Sequence, residues 1–290
     1  MTLKSNAVRL LLLPALSILL TSCNSKYRIW VGKENEQKIF DLSYGAHKKQ
    51  RMDVFLPAHY ARETPVVLIV HGGSWKYGTK EHMLMIQNHL HQQDIPTVNI
   101  NYRLVSNKQN IRYHHQLQDI ASAITAFNGI TERANLLPDN YIILGESAGG
   151  HLALLYGYKN PEQIRKIISM SSPTDFYTDD FLKSMYSIYA SPTFEDVVGE
   201  KFNRKNLSEK FMEASPLANV SSVPTLIFQG DTDFMVNRKQ GIKLDSVLTA
   251  NNIPHKFIYM KNTGHTPRFF SKKKRDSIIL PEITDWIKEN

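Results

Sequence analysis

The apolar run Tyr141-Ile142-Ile143-Leu144 ends in Gly145-Glu146-Ser147-Ala148-Gly149-Gly150, the stretch of this sequence best suited to nucleophilic chemistry. Glycines two residues to either side of Ser147 leave room for a sharp strand-to-helix turn that holds a serine in strained backbone with its hydroxyl exposed. A serine hydroxyl is a poor nucleophile near neutral pH unless a base takes its proton, and the base in turn needs an acid that fixes its tautomer. Both follow in chain order. Asp233 comes directly after the strand-like run ending at Gln229, and His265 lies in the turn Lys261-Asn262-Thr263-Gly264-His265 after another. Three fixed positions match by chance about once in ten chains of this length, so the surrounding elements must carry the assignment.

Those elements alternate. Lys38 to Tyr44 and Arg51 to Leu56 read as an antiparallel pair of short strands, after a polar stretch over Tyr27 to Lys38 that reads as a surface lead. Val66-Val67-Leu68-Ile69-Val70, bounded by Pro65 and His71-Gly72-Gly73, suits a strand buried on both faces. Helix over Thr79 to Gln92, strand over Pro96 to Tyr102 and a helix carrying Leu117, Ile120, Ala121, Ile124 and Phe127 follow. Strand over Tyr141 to Leu144, helix over Ala148 to Tyr156 and strand over Ile164 to Met170 continue the series. The last block is strand over Val223 to Gln229, helix over Asn237 to Thr249, strand over His255 to Met260 and helix from Ser277 to Lys288. This calls for an α/β fold, a mostly parallel sheet covered by helices on both faces, with function gathered at the carboxyl ends of the strands. The alternation lapses between 174 and 218, where Phe176, Tyr177, Phe181, Tyr186, Tyr189 and Phe194 recur without a clean period. That segment is expected to be an inserted helical cap whose aromatics wall a pocket.

The motifs together resemble those of α/β-hydrolases of the esterase and lipase kind, over almost all of the chain. His71-Gly72-Gly73-Ser74-Trp75 resembles the oxyanion motif, with Ser74 in place of a third glycine. The segment from Gly145 to Gly150 resembles the nucleophile elbow, with Glu146 where the hormone-sensitive-lipase group has Asp. Asn101-Tyr102-Arg103-Leu104 resembles the Tyr-Arg-Leu run of these enzymes, and Gly230-Asp231-Thr232-Asp233-Phe234-Met235-Val236 resembles the acid motif. The branch it most resembles is that of bacterial esterases related to feruloyl and acetyl-xylan esterases, near the hormone-sensitive-lipase group. The resemblance implies Ser147 as nucleophile, His265 as base and Asp233 as acid, in preference to Asp231, which caps or turns its loop, and to Asp175 at a strand end. It implies an oxyanion hole built from Gly72, Gly73, Ser74 and Ala148, chiefly the backbone N–H groups of Gly73 and Ala148. His71 is then expected to hold the loop, while His151 and His255 are expected to be structural. The implied function is hydrolysis of small or carbohydrate-linked esters through an acyl-enzyme. An amidase, formamidase or peptidase could use the same triad, and a silent hydrolase fold could serve as a binding module.

No cluster of Cys or His has metal-ligand spacing, and no cofactor is implied. The 290 residues carry 35 Lys and Arg against 27 Asp and Glu, a formal charge of +8. Part of the excess sits in Lys272-Lys273-Lys274-Arg275, without interleaved aromatics, which reads as a solvated helix face, with contact to acidic polymer or lipid headgroups as the alternative. No nucleic-acid partner is expected. Residues 1–22 combine Lys4 and Arg9 with an apolar run from Leu10 to Leu20, too short to span a bilayer, and read as a signal peptide. Leu20-Thr21-Ser22-Cys23 resembles the lipobox of bacterial lipoproteins. Cys23 is the sole cysteine, so no internal disulfide is available, and lipidation would consume its thiol. The expectation is an exported chain anchored by lipid at Cys23 to a bacterial membrane, the outer one in a Gram-negative cell. Residues 23–37 would lead from the anchor to one hydrolase domain over 38–290. The oligomeric state is not readable from these residues.

Overall fold

The computed structural model describes residues 27–32 and 36–289. The signal segment and Cys23 lie outside the described residues. Nine strands form one sheet: β1 (Arg28–Val31), β2 (Gln37–Ser43), β3 (Arg51–Leu56), β4 (Val66–Val70), β5 (Thr97–Ile100), β6 (Tyr141–Glu146), β7 (Ile164–Met170), β8 (Thr225–Gly230) and β9 (His255–Met260). Their spatial order is β1-β2-β3-β5-β4-β6-β7-β8-β9. The edge β1-β2-β3 and its junction with β5 are antiparallel, and every pairing from β5 to β9 is parallel.

The parallel half exists because its strands are apolar on both sides. In β4, Val66, Leu68 and Val70 enter one core while Val67 and Ile69 enter the other. Each such side chain withdrawn from water contributes roughly 1.5–3 kcal/mol before the cost of ordering it. The first core is closed by α2 (Tyr113–Thr131), α3 (Ala148–Lys159) and α7 (Lys239–Ala250), through Ile120, Leu152 and Leu244. The second is closed by α1 (Leu84–Gln92) and α10 (Leu280–Lys288), which bring Ile86, Leu90, Ile283 and Ile287.

Residues 174–218 hold α4 (Asp179–Leu182), α5 (Met185–Val198) and α6 (Glu209–Glu213). Serine or threonine caps each: Thr178, Ser184 and Ser208 accept hydrogen bonds from backbone N–H groups of the first turn. The aromatics divide between two tasks. Phe176 and Phe211 are fully buried, Phe176 stacks at 4.1 Å on the buried Phe194, and Phe194 joins Tyr186 and Tyr189 in lining a cavity. α8 (Pro267–Phe270) and α9 (Lys272–Lys274) complete the helices.

Three elements differ from the sequence expectation. The stretch read as a surface lead contains β1, an edge strand whose four residues are all exposed. Its pairing with β2 is a backbone matter, so no hydrophobic alternation announces it. The helix expected from Thr79 begins as a 3₁₀ turn, Lys80–Met83, in which Lys80 is drawn inward to Asp53 at 3.0 Å and Asp41 at 2.9 Å. The closing helix starts earlier, with α9 from Lys272 running through one π turn, Arg275–Ile279, into α10.

Candidate active site

Ser147 stands between β6 and α3 at φ 55°, ψ −122°, and its N–H donates to Met170 O on β7 at 2.7 Å. A left-handed φ at a non-glycine residue is strained and persists only when its surroundings fix it. The surroundings do so through two contacts that only glycine allows. A Cβ on Gly145 would lie 2.2 Å from Gly149 O, and one on Gly149 would lie 2.2 Å from Val70 O. Chain packed this closely turns from strand to helix within one residue and leaves the Ser147 hydroxyl at the sheet's carboxyl edge. Ala148 opens α3, where the first N–H groups have no intrahelical acceptor and carry the positive end of the helix dipole.

His265 reaches the serine from the turn after β9. Its Nε2 lies 2.9 Å from Ser147 Oγ and its Nδ1 lies 2.8 Å from Asp233 Oδ2. A carboxylate only accepts, so Nδ1 carries the proton and Nε2 is left as the acceptor for the serine hydroxyl. Asp233 is itself held by the backbone: its Oδ1 accepts from Met235 N at 3.0 Å and Val236 N at 2.8 Å. The rival acids have other partners. Asp231 accepts from Thr263 N at 3.0 Å and so ties the turn after β8 to the one that carries His265. Asp175 accepts from Tyr177 N and Thr178 N at the root of the cap.

The loop after β4 approaches the elbow from the other side. A Cβ on Gly72 would lie 2.9 Å from Glu146 O, and Gly73 has φ 125°. Gly73 O accepts from Lys76 N and Tyr77 N, which turns the loop back on itself. Ser74 and Trp75 both adopt left-handed φ, at 48° and 61°. Trp75 then anchors the loop in the core. Its Nε1–H donates to His151 Nδ1 at 3.1 Å, and the far nitrogen of that ring, Nε2, donates to Ala214 O at 2.7 Å beside the cap. One neutral tautomer of His151 satisfies both bonds. His71 lies flat against Tyr102, with ring centroids 4.3 Å apart, while the Tyr102 hydroxyl donates to His71 O.

One pair escapes sequence reading. Arg268 is 1% exposed, and it holds Glu146, the residue before Ser147, in a two-pronged ion pair with both N···O distances 2.7 Å. Its third nitrogen donates to His82 O at 2.7 Å. The elbow and the segment just after His265 are thus locked together under the site. A carboxylate beside the nucleophile on a buried strand end was the available signal, because such a group needs a cation.

Two cavities flank the Ser147 hydroxyl. One, of about 290 Å³, lies under α5 and is lined by Trp75, Tyr186, Tyr189, Phe194 and Phe234. The other, of about 200 Å³, lies between the loop at Gly72 to Ser74 and the pair Glu146–Arg268, with Phe269 at its edge. Ser147 and His265 border both.

The sequence profile of the BD-FAE family matches residues 52–248, from β3 to α7, a span that includes the elbow and Asp233. The chain belongs to the BD-FAE family. Among curated proteins, this BD-FAE chain is 22% identical over 261 residues to isoprenylcysteine alpha-carbonyl methylesterase ICME of Arabidopsis thaliana, covering 81% of the chain and 58% of that protein. It is 24% identical over 120 residues to kynurenine formamidase of Danio rerio, covering 41% of the chain and 38% of that protein. The chain therefore spans well under two thirds of either relative. Among solved structures, a truncated carbohydrate esterase from gut microbiota superposes with a TM-score of 0.72 at 18% identity, covering 89% of this chain and 97% of that one. The fold is the α/β-hydrolase fold, and the relatives named include a methylesterase, a carbohydrate esterase and a formamidase.

Two histidines of this BD-FAE chain make its stability depend on pH. Burial lowers both His71 and His151 from 6.5 to about 4, the carbonyl each one meets offsetting only part of the effect. The unfolded chain therefore binds protons between about pH 6.5 and 4 that the folded chain refuses, so stability is complete above 6.5 and falls as the pH drops. Each histidine is worth up to about 3 kcal/mol by pH 4. Thermal unfolding should give a constant midpoint from pH 7 to 9 and a midpoint falling steadily from pH 6.5 to 4.5. The decline should be smaller in His71→Gln, and an undiminished decline in that variant would remove His71 from the explanation.

Proposed function

We propose that the protein is a serine carboxylester hydrolase acting on small or carbohydrate-linked esters. The observation that carries this reading is the unbroken hydrogen-bonded line from Asp233 through His265 to Ser147, opening on two cavities. As Ser147 Oγ attacks the ester carbonyl, His265 Nε2 takes its proton and Asp233 stabilises the imidazolium without leaving its backbone donors. Charge building on the carbonyl oxygen is met by the N–H groups of Gly73 and Ala148, with Gly72 and Ser74 shaping the loop. Each such donor is worth about 2.7–4 kcal/mol in the transition state. The imidazolium protonates the departing alcohol, and water activated by the same nitrogen releases the acid. Division of the site into two cavities gives the acyl and alcohol parts separate places on either side of the serine.

A fluorophosphonate probe tests the reading. The wild-type chain should be labelled once and Ser147→Ala not at all; an unlabelled wild type, or equal labelling of the variant, would sink it. The partial likeness to a formamidase supports a second reading in which the same residues cleave an amide. Aryl anilides assayed beside aryl esters separate the two, because the ester reading requires ester turnover to dominate.

A further inference from the structure

The rim of the active site is apolar and uncovered. On α5, Met185, Ile188 and Tyr189 occupy positions i, i+3 and i+4, so they share one helix face, and all three are exposed. Across the mouth stand Phe234, next to the acid, and Phe269 and Phe270 on α8, with Phe270 87% exposed. Tyr189, Phe234 and Phe269 also border the two cavities, so this surface is continuous with the site. Exposed aromatics of this size and number mark a surface that meets an apolar partner.

Charge selects the partner. Lys272 and Lys273 follow Phe270 one residue on, after Ser271, and are exposed. Asp276, the carboxylate that feels Lys272, is already paired with Arg275. Lys274 is occupied differently: its ammonium donates to Lys261 O, Asn262 O and Thr263 Oγ1, which steadies the turn leading to His265. Aromatics flanked by cations suit the boundary between acyl chains and anionic headgroups, where rings enter the apolar layer and ammonium groups stay with the phosphates.

We propose that this rim docks the active site onto an anionic lipid surface, so that esters carried in or on that surface reach Ser147 without crossing bulk water. The ester-cleaving part rests on the proposed hydrolase function; the docking part does not. The test uses the full chain, so that any contribution of the N-terminus is common to every variant. Flotation with vesicles of phosphatidylglycerol and phosphatidylcholine at 3:7 is compared with vesicles of phosphatidylcholine alone. Lys272→Gln with Lys273→Gln should weaken partition onto the anionic vesicles about 25-fold, at about fivefold per cation, and leave the neutral vesicles unaffected. Phe270→Ser should weaken partition onto both. Turnover of a long-chain ester dispersed in the anionic vesicles should fall with partition, while turnover of a dissolved short-chain ester and the unfolding midpoint stay at wild-type values. Unchanged partition in both variants, or equal loss on neutral vesicles in the lysine variant, overturns the proposal. If neither ester is turned over by wild type but partition behaves as stated, the hydrolase reading fails and the docking surface stands.

Discussion

Alanine at Ser147 is expected to reduce kcat/KM for any ester substrate by a factor on the order of 10⁶, the loss typical of removing the nucleophile from a triad that works as a unit. The size follows from what remains. Without Oγ, His265 and Asp233 keep their bond at 2.8 Å but have no attacking atom to deprotonate. The oxyanion donors and the cavities persist, so a residual rate above that of water is expected, on the order of 10³-fold. Stability should change little. His265 Nε2 borders both cavities, so water can replace the lost hydroxyl and no buried acceptor is orphaned. Steady-state kinetics beside thermal unfolding check both halves, and a variant within tenfold of wild type would place the nucleophile elsewhere.

The second large effect is expected far less from chemistry than from a stranded charge. Arg268→Met leaves the Glu146 carboxylate buried without its partner, a loss of about 3–5 kcal/mol. In a domain of this size that lowers the unfolding midpoint by on the order of 10 °C. Since Glu146 precedes Ser147 and Arg268 follows His265 by three residues, the pair also sets the distance between nucleophile and base. Arg268 is a positioning residue, and the double variant Glu146→Met with Arg268→Met separates its two effects. Replacing both charges by apolar groups of similar volume should recover most of the stability. It should leave kcat at least tenfold low with KM near the wild-type value, because the elbow and the His265 turn are no longer tied. Full recovery of kcat with stability would reduce the pair to a structural role.

Much of this arrangement is legible in the sequence because the strands of the parallel half are apolar on both faces and the turns after them hold the polar motifs. β3, β4, β7 and β9 fall on the residues read from periodicity. The places of Ser147, Asp233 and His265 follow from motifs fixed by covalent neighbours: glycines around the serine, and turns after β8 and β9. What resists reading is of another kind. β1 is held by its backbone pairing with β2 and by exposed contacts such as Lys38 over Trp30, none of which leaves an apolar alternation. Lys80 and Arg268 look like surface cations until the fold supplies Asp53 and Glu146, partners 27 and 122 residues away. The division of the cap's aromatics is equally hidden, since Phe194, 2% exposed, and Tyr189, 76% exposed, stand on the same helix, α5.

The bond from His151 to Ala214 has a bearing on how such a site can change over evolutionary time. It pins the far end of the cap to the nucleophile helix, and Ser215 reinforces it by donating to Phe211 O while accepting from Phe176 N. The near end is tied as well, through Thr174 and Asp175 to Gln240 and through Lys243 to Thr178 and Asp180, while the outer face of α5, with Met185, Ile188 and Tyr189, is exposed. Substitutions there can remodel what the enzyme accepts without disturbing the loop that Trp75 holds or the serine beneath it. The fixed part of the molecule and the exposed face of α5 thus meet at a seam in which one neutral imidazole, His151, takes part.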